Sequence, residues 1–550
     1  MLTFTLTHRA GLPGRIRAAA FLVFSVFVSA TYAGAQLTAQ AAATLTNHGH
    51  ILLVLPFDNR TGQPSLEWIR EAAADLLSTR FAAAGFSPMT RADRMYALDH
   101  LGLPQGFQPS RASSLKLAQT LDADYIIVGN YRMNGSSIEA EAQLVDVPHL
   151  RMTPAVGAYG AMSNMIAVFD SLAWKLTREL DPTFSVGEQT FVAAGESLRL
   201  DAYEQYIRGI TEPDQAERLR HLEQSVKLSP GFSPAWMALG REEYQGQQYE
   251  EAAQAFAKVD SNSQDALEAG FYRGISLLFS GNYAEAEKAF ANVAKVLPLA
   301  EVVNNQAVAI SRQGRDGTAL YVQAASSDPN TADYHFNLAV SLKREGKTTS
   351  ALNELAQCLK LRPNDSEAQS LEQAWKNPAA GQAAAGADPA SAPDPLERII
   401  RTFDANAFRQ AAVVLDQVDA SHLADLSPRE QSLKICEQAG GYLRRGLLLE
   451  AERLYQSAIS ADGKVAEAHV GLAEVSERVG DNSAARKEAQ LALELTPSAD
   501  AYLVLGHLDL EENHLQEART EAGNALKLSP ASPAAQELMR EVEARDGAQK

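Results

Sequence analysis

Apolar and polar positions along this chain follow two rhythms. From residue 50 to residue 180 short apolar runs alternate with amphipathic stretches, and beyond residue 198 the spacing is helical and repeats. Ile51-Leu52-Leu53-Val54-Leu55-Pro56-Phe57 is continuously apolar, as a strand covered on both faces requires. Ser65–Ala84 has the period of a helix, Phe86–Thr90 that of a short strand, and Ala92–Leu101 and Arg111–Leu121 those of two more helices. Tyr125–Arg132 and Ile138–Val147 read as strands about the turn Asn134-Gly135-Ser136, a hairpin signal. A strand near Thr153–Tyr159 and a helix from Met162 to Leu180 complete an expected α/β layer spanning 50–182.

In the remainder, small and large residues recur 34 positions apart: Gly240 and Gly274, Ala252 and Ala286, Phe256 and Phe290, Ala451 and Ala485. A fixed period of two short amphipathic helices marks an α-solenoid, whose units bury a continuous core by stacking. Small residues are expected where the helices of a unit touch, with Phe256 filling the gap to the next unit. Pro298, Pro363, Pro497 and Pro530 fall where a second helix must stop.

The segment Trp236-Met237-Ala238-Leu239-Gly240, with Tyr249, Ala252 and Phe256 after it, resembles the tetratricopeptide repeat (TPR). Leu338-Ala339, Gly346, Ala351, Leu355, Cys358 and Pro363 make another such unit, while the one around Asn304–Ser326 is degenerate. Later units run through Gly446, Ala451, Tyr455 and Ala458, then Leu472-Ala473, Gly480 and Ala485, then Leu505-Gly506 and Ala518. A partial unit at Phe408, Ala411 and Leu415 and a first one ending at Pro230 bring the expected total to about nine. Between Asn377 and Pro395 the pattern gives way to Ala, Gly and Pro, a composition suited to a linker. The expected architecture is therefore an α/β domain followed by an all-α superhelical solenoid in two arrays, 198–376 and 396–546, the second closed by a capping helix from Pro533.

Arg9, Arg15 and Arg17 precede the apolar run Ala18–Ala30, and Ala33-Gly34-Ala35 forms a small-x-small site before Gln36. This is the form of a cleaved secretory signal over 1–35, with a tail over 36–49, and predicts a periplasmic or secreted mature chain, an uncleaved anchor being the alternative. Losing three arginines takes the formal charge of −19 to −22. So acidic a chain without a basic block is poorly suited to nucleic acid. Cys358 and Cys436 read as packing residues on helices of different arrays.

A second resemblance lies in the α/β region. Val54-Leu55-Pro56-Phe57-Asp58-Asn59, then Leu121-Asp122-Ala123-Asp124-Tyr125-Ile126-Ile127-Val128-Gly129, then Gln143-Leu144-Val145-Asp146 are similar in kind and order to strands of the amino-terminal domain family of TolB. Leu200–Gly209 resembles the segment leading such domains into TPRs. The resemblance implies a bacterial envelope protein that binds partners, without catalytic residues to carry over. No propeller-like strand repeats follow, so TolB's own partners are not transferred.

Candidate chemistry is sparse, and neither an enzymatic activity nor a cofactor or metal is expected. Gly346-Lys347-Thr348-Thr349 resembles the end of a phosphate loop, but position 341 is Ser and no buried strand precedes it. His48 and His50 have no third ligand in view. Asp58 and Asp146 sit at strand ends, where Asp caps turns. Binding is the better-supported class. Taking first-helix positions four and seven residues apart selects a protein-binding groove of Met237, Arg241 and Tyr244, Phe271, Ile275 and Leu278, and Phe336, Val340 and Lys343. This mostly apolar surface suits a peptide or amphipathic helix of a protein partner. The equivalent positions later in the chain are Val470, Glu474, Glu477, Leu503, His507 and Leu510, a more acidic face. Two alternatives stay open: a self-assembling component of an envelope or secretion complex, and a small-ligand receptor or enzyme built on the α/β domain.

Overall fold

The structure, a computed structural model, describes residues 50–104, 111–193, 198–261, 265–377, 395–403, 426–444 and 448–549, with isolated residues between. The signal-like segment and tail, most of the Ala/Gly/Pro-rich stretch, Gly446 and the partial unit at Phe408–Leu415 lie outside the described residues. The chain divides into two compact units, one built on 230–413 and the other on 37–229 together with 414–550.

The α/β domain contains strands β1 (Ile51–Val54), β2 (Asp58–Asn59), β3 (Ser87–Pro88), β4 (Tyr125–Asn134), β5 (Ser137–Asp146), β6 (Arg151–Met152) and β7 (Val156–Ala161). Its helices are α1 (Ile69–Ala83), α2 (Arg91–His100), α3 (Arg111–Thr120), α4 (Met165–Leu180) and α5 (Glu188–Ala193). The sheet is mixed, in the order β3-β1-β4-β5-β6. β1 runs parallel to β3 and β4, while β4 and β5 form the antiparallel hairpin expected around Gly135. Leu52, Leu53, Val54 and Phe57 are buried, as the unbroken apolar run requires.

The motif residues have local reasons. The Asp124 carboxylate accepts the Ile51 backbone N–H at 2.8 Å, joining β1 to the loop before β4. A Cβ on Gly129 would stand 2.3 Å from the Phe57 ring and 2.7 Å from the Glu141 carbonyl, so only glycine fits there. Asp146 accepts the His149 backbone N–H at 3.0 Å, a turn cap. Asp58 is aligned with Asn130 and Asp146 with Tyr125, five residues apart on β4. That separation is about 17 Å at strand rise, so the two carboxylates are not a pair. Between α1 and α4, Arg80 Nε donates to Asp170 Oδ1 at 2.7 Å and Arg80 Nη2 to Asp170 Oδ2 at 3.2 Å, both residues buried.

Helices α6 (Leu200–Thr211) and α7 (Gln215–Leu228) form a pair that the sequence groups with the first array. In the structure they belong to the α/β unit, where the Tyr203 hydroxyl lies 2.7 Å from the Asp75 carboxylate and 3.1 Å from the Ala72 carbonyl. The same unit carries α17 (Pro428–Arg444), α18 (Leu448–Ala461), α19 (Ala466–Arg478), α20 (Asn482–Leu495), α21 (Ala499–Glu511), α22 (Leu515–Leu528) and α23 (Pro533–Gln549). Contacts from α18 reach the α/β domain: Arg453 Nη1 donates to the Ala83 carbonyl at 3.0 Å, and Glu452 accepts the Gly187 N–H at 2.9 Å.

The other unit is a succession of helix pairs: α8 (Ser233–Gln245) and α9 (Tyr249–Phe256), α10 (Ala266–Phe279) and α11 (Tyr283–Val296), α12 (Ala300–Arg312) and α13 (Thr318–Ser327), α14 (Ala332–Arg344) and α15 (Thr348–Leu361), then α16 (Ser366–Lys376). A Cβ on Gly240 would meet the Phe256 ring at 2.8 Å, and one on Gly274 the Phe290 ring at 2.6 Å. The 34-residue recurrence thus records one close helix crossing built twice. Of Gly346-Lys347-Thr348-Thr349, the first two residues lie in the turn between α14 and α15, with Gly346 at φ +79°, and the two threonines open α15.

Candidate protein-binding groove

The first helix of each pair in this second unit faces a groove, and the groove is occupied. Residues 395–403 leave the expected start of the second array and run as extended chain over α16, α14, α12 and α10, back along the helices they follow in sequence. The sequence reading put 396 at the head of the second array; in the structure Leu396–Phe403 forms no helix and belongs with the first.

An extended backbone needs partners for its amides, and here side-chain amides supply them. The Arg398 N–H donates to Asn337 Oδ1 at 2.6 Å while Asn337 Nδ2 donates to the Arg398 carbonyl at 2.7 Å. Two residues on, the Ile400 N–H donates to Asn305 Oδ1 at 2.9 Å and Asn305 Nδ2 to the Ile400 carbonyl at 2.7 Å. Asn304 supports both, accepting from Asn337 Nδ2 at 2.9 Å and donating to Asn305 Oδ1 at 3.1 Å. All three asparagines have no exposed surface. Successive clamps fall on alternate residues because an extended chain repeats every two. The Tyr272 hydroxyl, one helix further, meets the Phe403 backbone.

Side chains of the segment are held as firmly as its backbone. The Arg398 guanidinium lies 3.6 Å from the centre of the Phe336 ring, a cation–π contact. It is also ringed by Asp365 (2.6 Å), Glu367 (2.9 Å) and Asp333 (3.0 Å). The hydrogen bonds from Arg398 hold the Asp365 carboxyl at about 2, below its ordinary 3.8. Burial works to lower the Arg398 pKa, and the three carboxylates more than reverse this, so both partners stay charged across the physiological range. Glu397, whose side chain is 1% exposed, is paired with Arg344, Arg312 and Ser311. Ile399, Ile400 and Phe403 pack on the core containing Phe271, Ile275 and Leu278, and the Phe403 and Phe271 rings lie 5.3 Å apart. Arg401 stands 4.8 Å over the Phe279 ring.

Of the nine groove residues selected from sequence, Phe271 and Phe336 touch the segment directly, and Tyr244, Ile275 and Leu278 share its apolar cluster. The other four make other contacts. Met237 packs with Ala252 and Phe256, Arg241 pairs with Glu268 at 2.6 Å, and Val340 packs with Leu355 and Cys358. Lys343 donates to Thr348 Oγ1 at 3.0 Å. On α14 the residues that reach the segment are Asp333, Phe336, Asn337 and Arg344; Lys343 falls at the edge of that face, while Val340 lies on it and packs in the cluster that holds Phe336, Leu355 and Cys358. Asn304, Asn305, Asn337, Arg312 and Arg344 were not selected, although Asn305 and Asn337 are 32 residues apart, each followed seven residues later by arginine.

The acidic face of the later helices is built otherwise. Aligning α14 with α19 and α21 sets Gly471 and Val504 where Asn337 stands, so neither can clamp a peptide backbone. Glu477 and His507 come together at 2.8 Å, while Val470, Leu503 and Leu510 are buried. Burial, with Asp500 and Glu477 nearby, pushes the Glu474 carboxyl up to about 7 from 4.5. A raised acid contributes stability that is full below 4.5 and is lost as pH rises through 7. Glu474→Gln is therefore expected to stabilise this unit by about 1–2 kcal/mol at pH 8 and by almost nothing at pH 4. Urea melts at the two pH values test this; an equal effect at both would contradict it.

His50 lies 3.5 Å from Asp124 and edge-on to Tyr125, while His48 is outside the described residues. Cys358 and Cys436 are free thiols, each pushed up to about 11 by burial. Among the described residues no helix is long and apolar enough to cross a membrane.

Residues 332–365 and 436–500 match the tetratricopeptide-repeat family. These helices are TPR repeats. No curated protein matches the chain. Among solved structures, YrrB, described as a TPR protein with an unusual peptide-binding site, is 15% identical over 33% of this chain and 96% of its own, with a TM-score of 0.30. The first TPR of Spaghetti (RPAP3), bound to the HSP90 peptide SRMEEVD, is 22% identical over 22% of this chain and 95% of its own, with a TM-score of 0.21. The C-terminal domain of LpoB from Salmonella enterica is 20% identical over 21% of this chain and 84% of its own, with a TM-score of 0.19.

Proposed function

We propose that this chain is a non-catalytic protein-binding scaffold of the bacterial cell envelope, whose groove over α10 to α16 holds extended segments of partner proteins. The observation that carries the binding role is the pair of asparagine clamps, Asn337 on Arg398 and Asn305 on Ile400. Each side-chain amide pairs with both the N–H and the C=O of one residue, as a neighbouring antiparallel strand would, so the groove recognises extended backbone whatever its sequence. Charged pockets on either side add selectivity.

The envelope assignment is supported by the signal-like pattern from Arg9 to Ala35 and by the TolB-like segments, which fall on β1, β2, β4 and β5. Capture from a solubilised envelope extract tests the reading. Polar replacements of Phe271, Ile275 or Phe336 would damage the core, since all three are fully buried. Because Glu397–Phe403 fills the groove, the informative comparison is between the full chain carrying Arg398→Glu, which sets the resident segment against the acidic ring, and the same chain carrying Asn305→Ala and Asn337→Ala as well. Partners retained by the first and lost by the second are expected; capture of the same partners in the same amounts by both would place binding elsewhere.

A further inference from the structure

The groove's present occupant belongs to the chain itself, and its contacts spell out what the groove selects. Resting on the protein-binding reading above, we infer that Glu397–Phe403 is a resident stand-in for a partner's segment. The groove takes an extended peptide that reads acid, arginine, two aliphatic residues and, three positions later, an aromatic, and the partner gains access by displacing the resident copy.

Each element of this pattern has a matching receptor. The acid fits between Arg312 and Arg344, which come from equivalent positions of consecutive repeats. The arginine fits the face of Phe336 within the ring of Asp333, Asp365 and Glu367. Exchanging the two charges would set a carboxylate against three carboxylates and a guanidinium against two arginines. The aliphatic pair and the aromatic meet the apolar cluster around Phe271. Arg344 also donates to the Pro395 carbonyl at 3.0 Å, fixing where the segment enters.

Occupancy follows from covalent attachment. Eighteen positions separate Asn377, where α16 has ended, from Pro395. A tether of that order presents its segment at an effective concentration on the order of millimolar. A free peptide with the same contacts must compete with it, and its apparent affinity falls by the fraction of grooves left open.

The test uses a fluorescent peptide with the sequence of residues 395–403, titrated by anisotropy into the full chain and into the full chain carrying Arg398→Glu. That change leaves every groove residue intact and sets the resident segment against the acidic ring. The peptide is expected to bind the variant at least about tenfold more tightly than the unaltered chain. A peptide with the Glu and Arg exchanged is expected to bind the variant at least about tenfold more weakly than the native-order peptide. Should Arg398→Glu fail to fold, Ile400→Asp serves the same purpose. Equal, tight binding to both chains would overturn the resident stand-in while leaving the groove a protein-binding site. Equal binding of the exchanged peptide would overturn the charge order. No binding to either chain would overturn the groove reading itself, and this inference with it.

Discussion

Asn337→Ala is expected to release the Glu397–Phe403 segment from its groove while leaving α14 folded. The substitution removes the two hydrogen bonds between Asn337 and the Arg398 backbone and the one that Asn337 donates to Asn304, leaving the Arg398 carbonyl the longer bond from Asn304 Nδ2 at 3.3 Å. An unmade buried hydrogen bond costs about 1–3 kcal/mol, because the abandoned group keeps its desolvation penalty. With Arg398 retaining its carboxylate ring, a net loss of about 2–3 kcal/mol is reasonable, lowering the docking constant roughly 30- to 150-fold. The helix itself gains from the change, since alanine has a higher helix propensity than asparagine by several tenths of a kcal/mol, order of magnitude ~0.5. Circular dichroism should therefore show unchanged helix content while amide exchange in residues 396–403 accelerates. Unchanged exchange would mean that the asparagine clamp contributes little.

Asp170→Ala is expected to cost the α/β domain about 3–5 kcal/mol, the range for removing one partner of a buried ion pair. Asp170 has no exposed surface, and its carboxyl, pushed up to about 6 by burial against the pull of Arg80, is ionised at neutral pH. Removing it strands the Arg80 guanidinium between α1 and α4, where little water can reach it. The combined change Arg80→Met and Asp170→Leu should recover most of the loss, because two apolar side chains of similar size leave no unpaired charge. Urea melts of the full chain followed at a probe in the α/β domain distinguish the cases. A single variant that loses less than about 1 kcal/mol would show that the pair lies in a more solvated setting than its geometry indicates.

Much of this architecture is legible in the sequence because it rests on local signals. The unbroken apolar run at Ile51–Phe57, the hairpin turn at Gly135 and the small-residue crossings at Gly240 and Gly274 each report a nearby constraint. The groove depends on a different kind of information. Asn304 and Asn305 lie in the repeat whose packing residues look degenerate in sequence, although Ala307, Tyr321 and Ala324 are fully buried there. Degeneracy judged by packing residues conceals the recurrence of asparagine and arginine on the opposite face, where Asn305 and Arg312 match Asn337 and Arg344.

The extended segment is harder still to foresee. Leu396–Phe403 mixes apolar and charged residues in a way that fits the start of a helix, and no local feature forbids one. Its backbone is satisfied by side chains 61 and 95 positions away. Sequence periodicity registers neighbours within a few turns, so a strand-like conformation imposed by distant amides leaves no periodic trace. The TPR pattern indicates a groove, and the fold alone reveals that the chain carries a segment to fill it.

Residue-resolved hydrogen exchange on the unaltered full chain tests the central claim most directly. Because the Arg398 and Ile400 amides donate to Asn337 and Asn305, both are expected to exchange at least about tenfold more slowly than in a free peptide of residues 395–403. Exchange of both amides at the free-peptide rate would contradict a groove that grips extended chain.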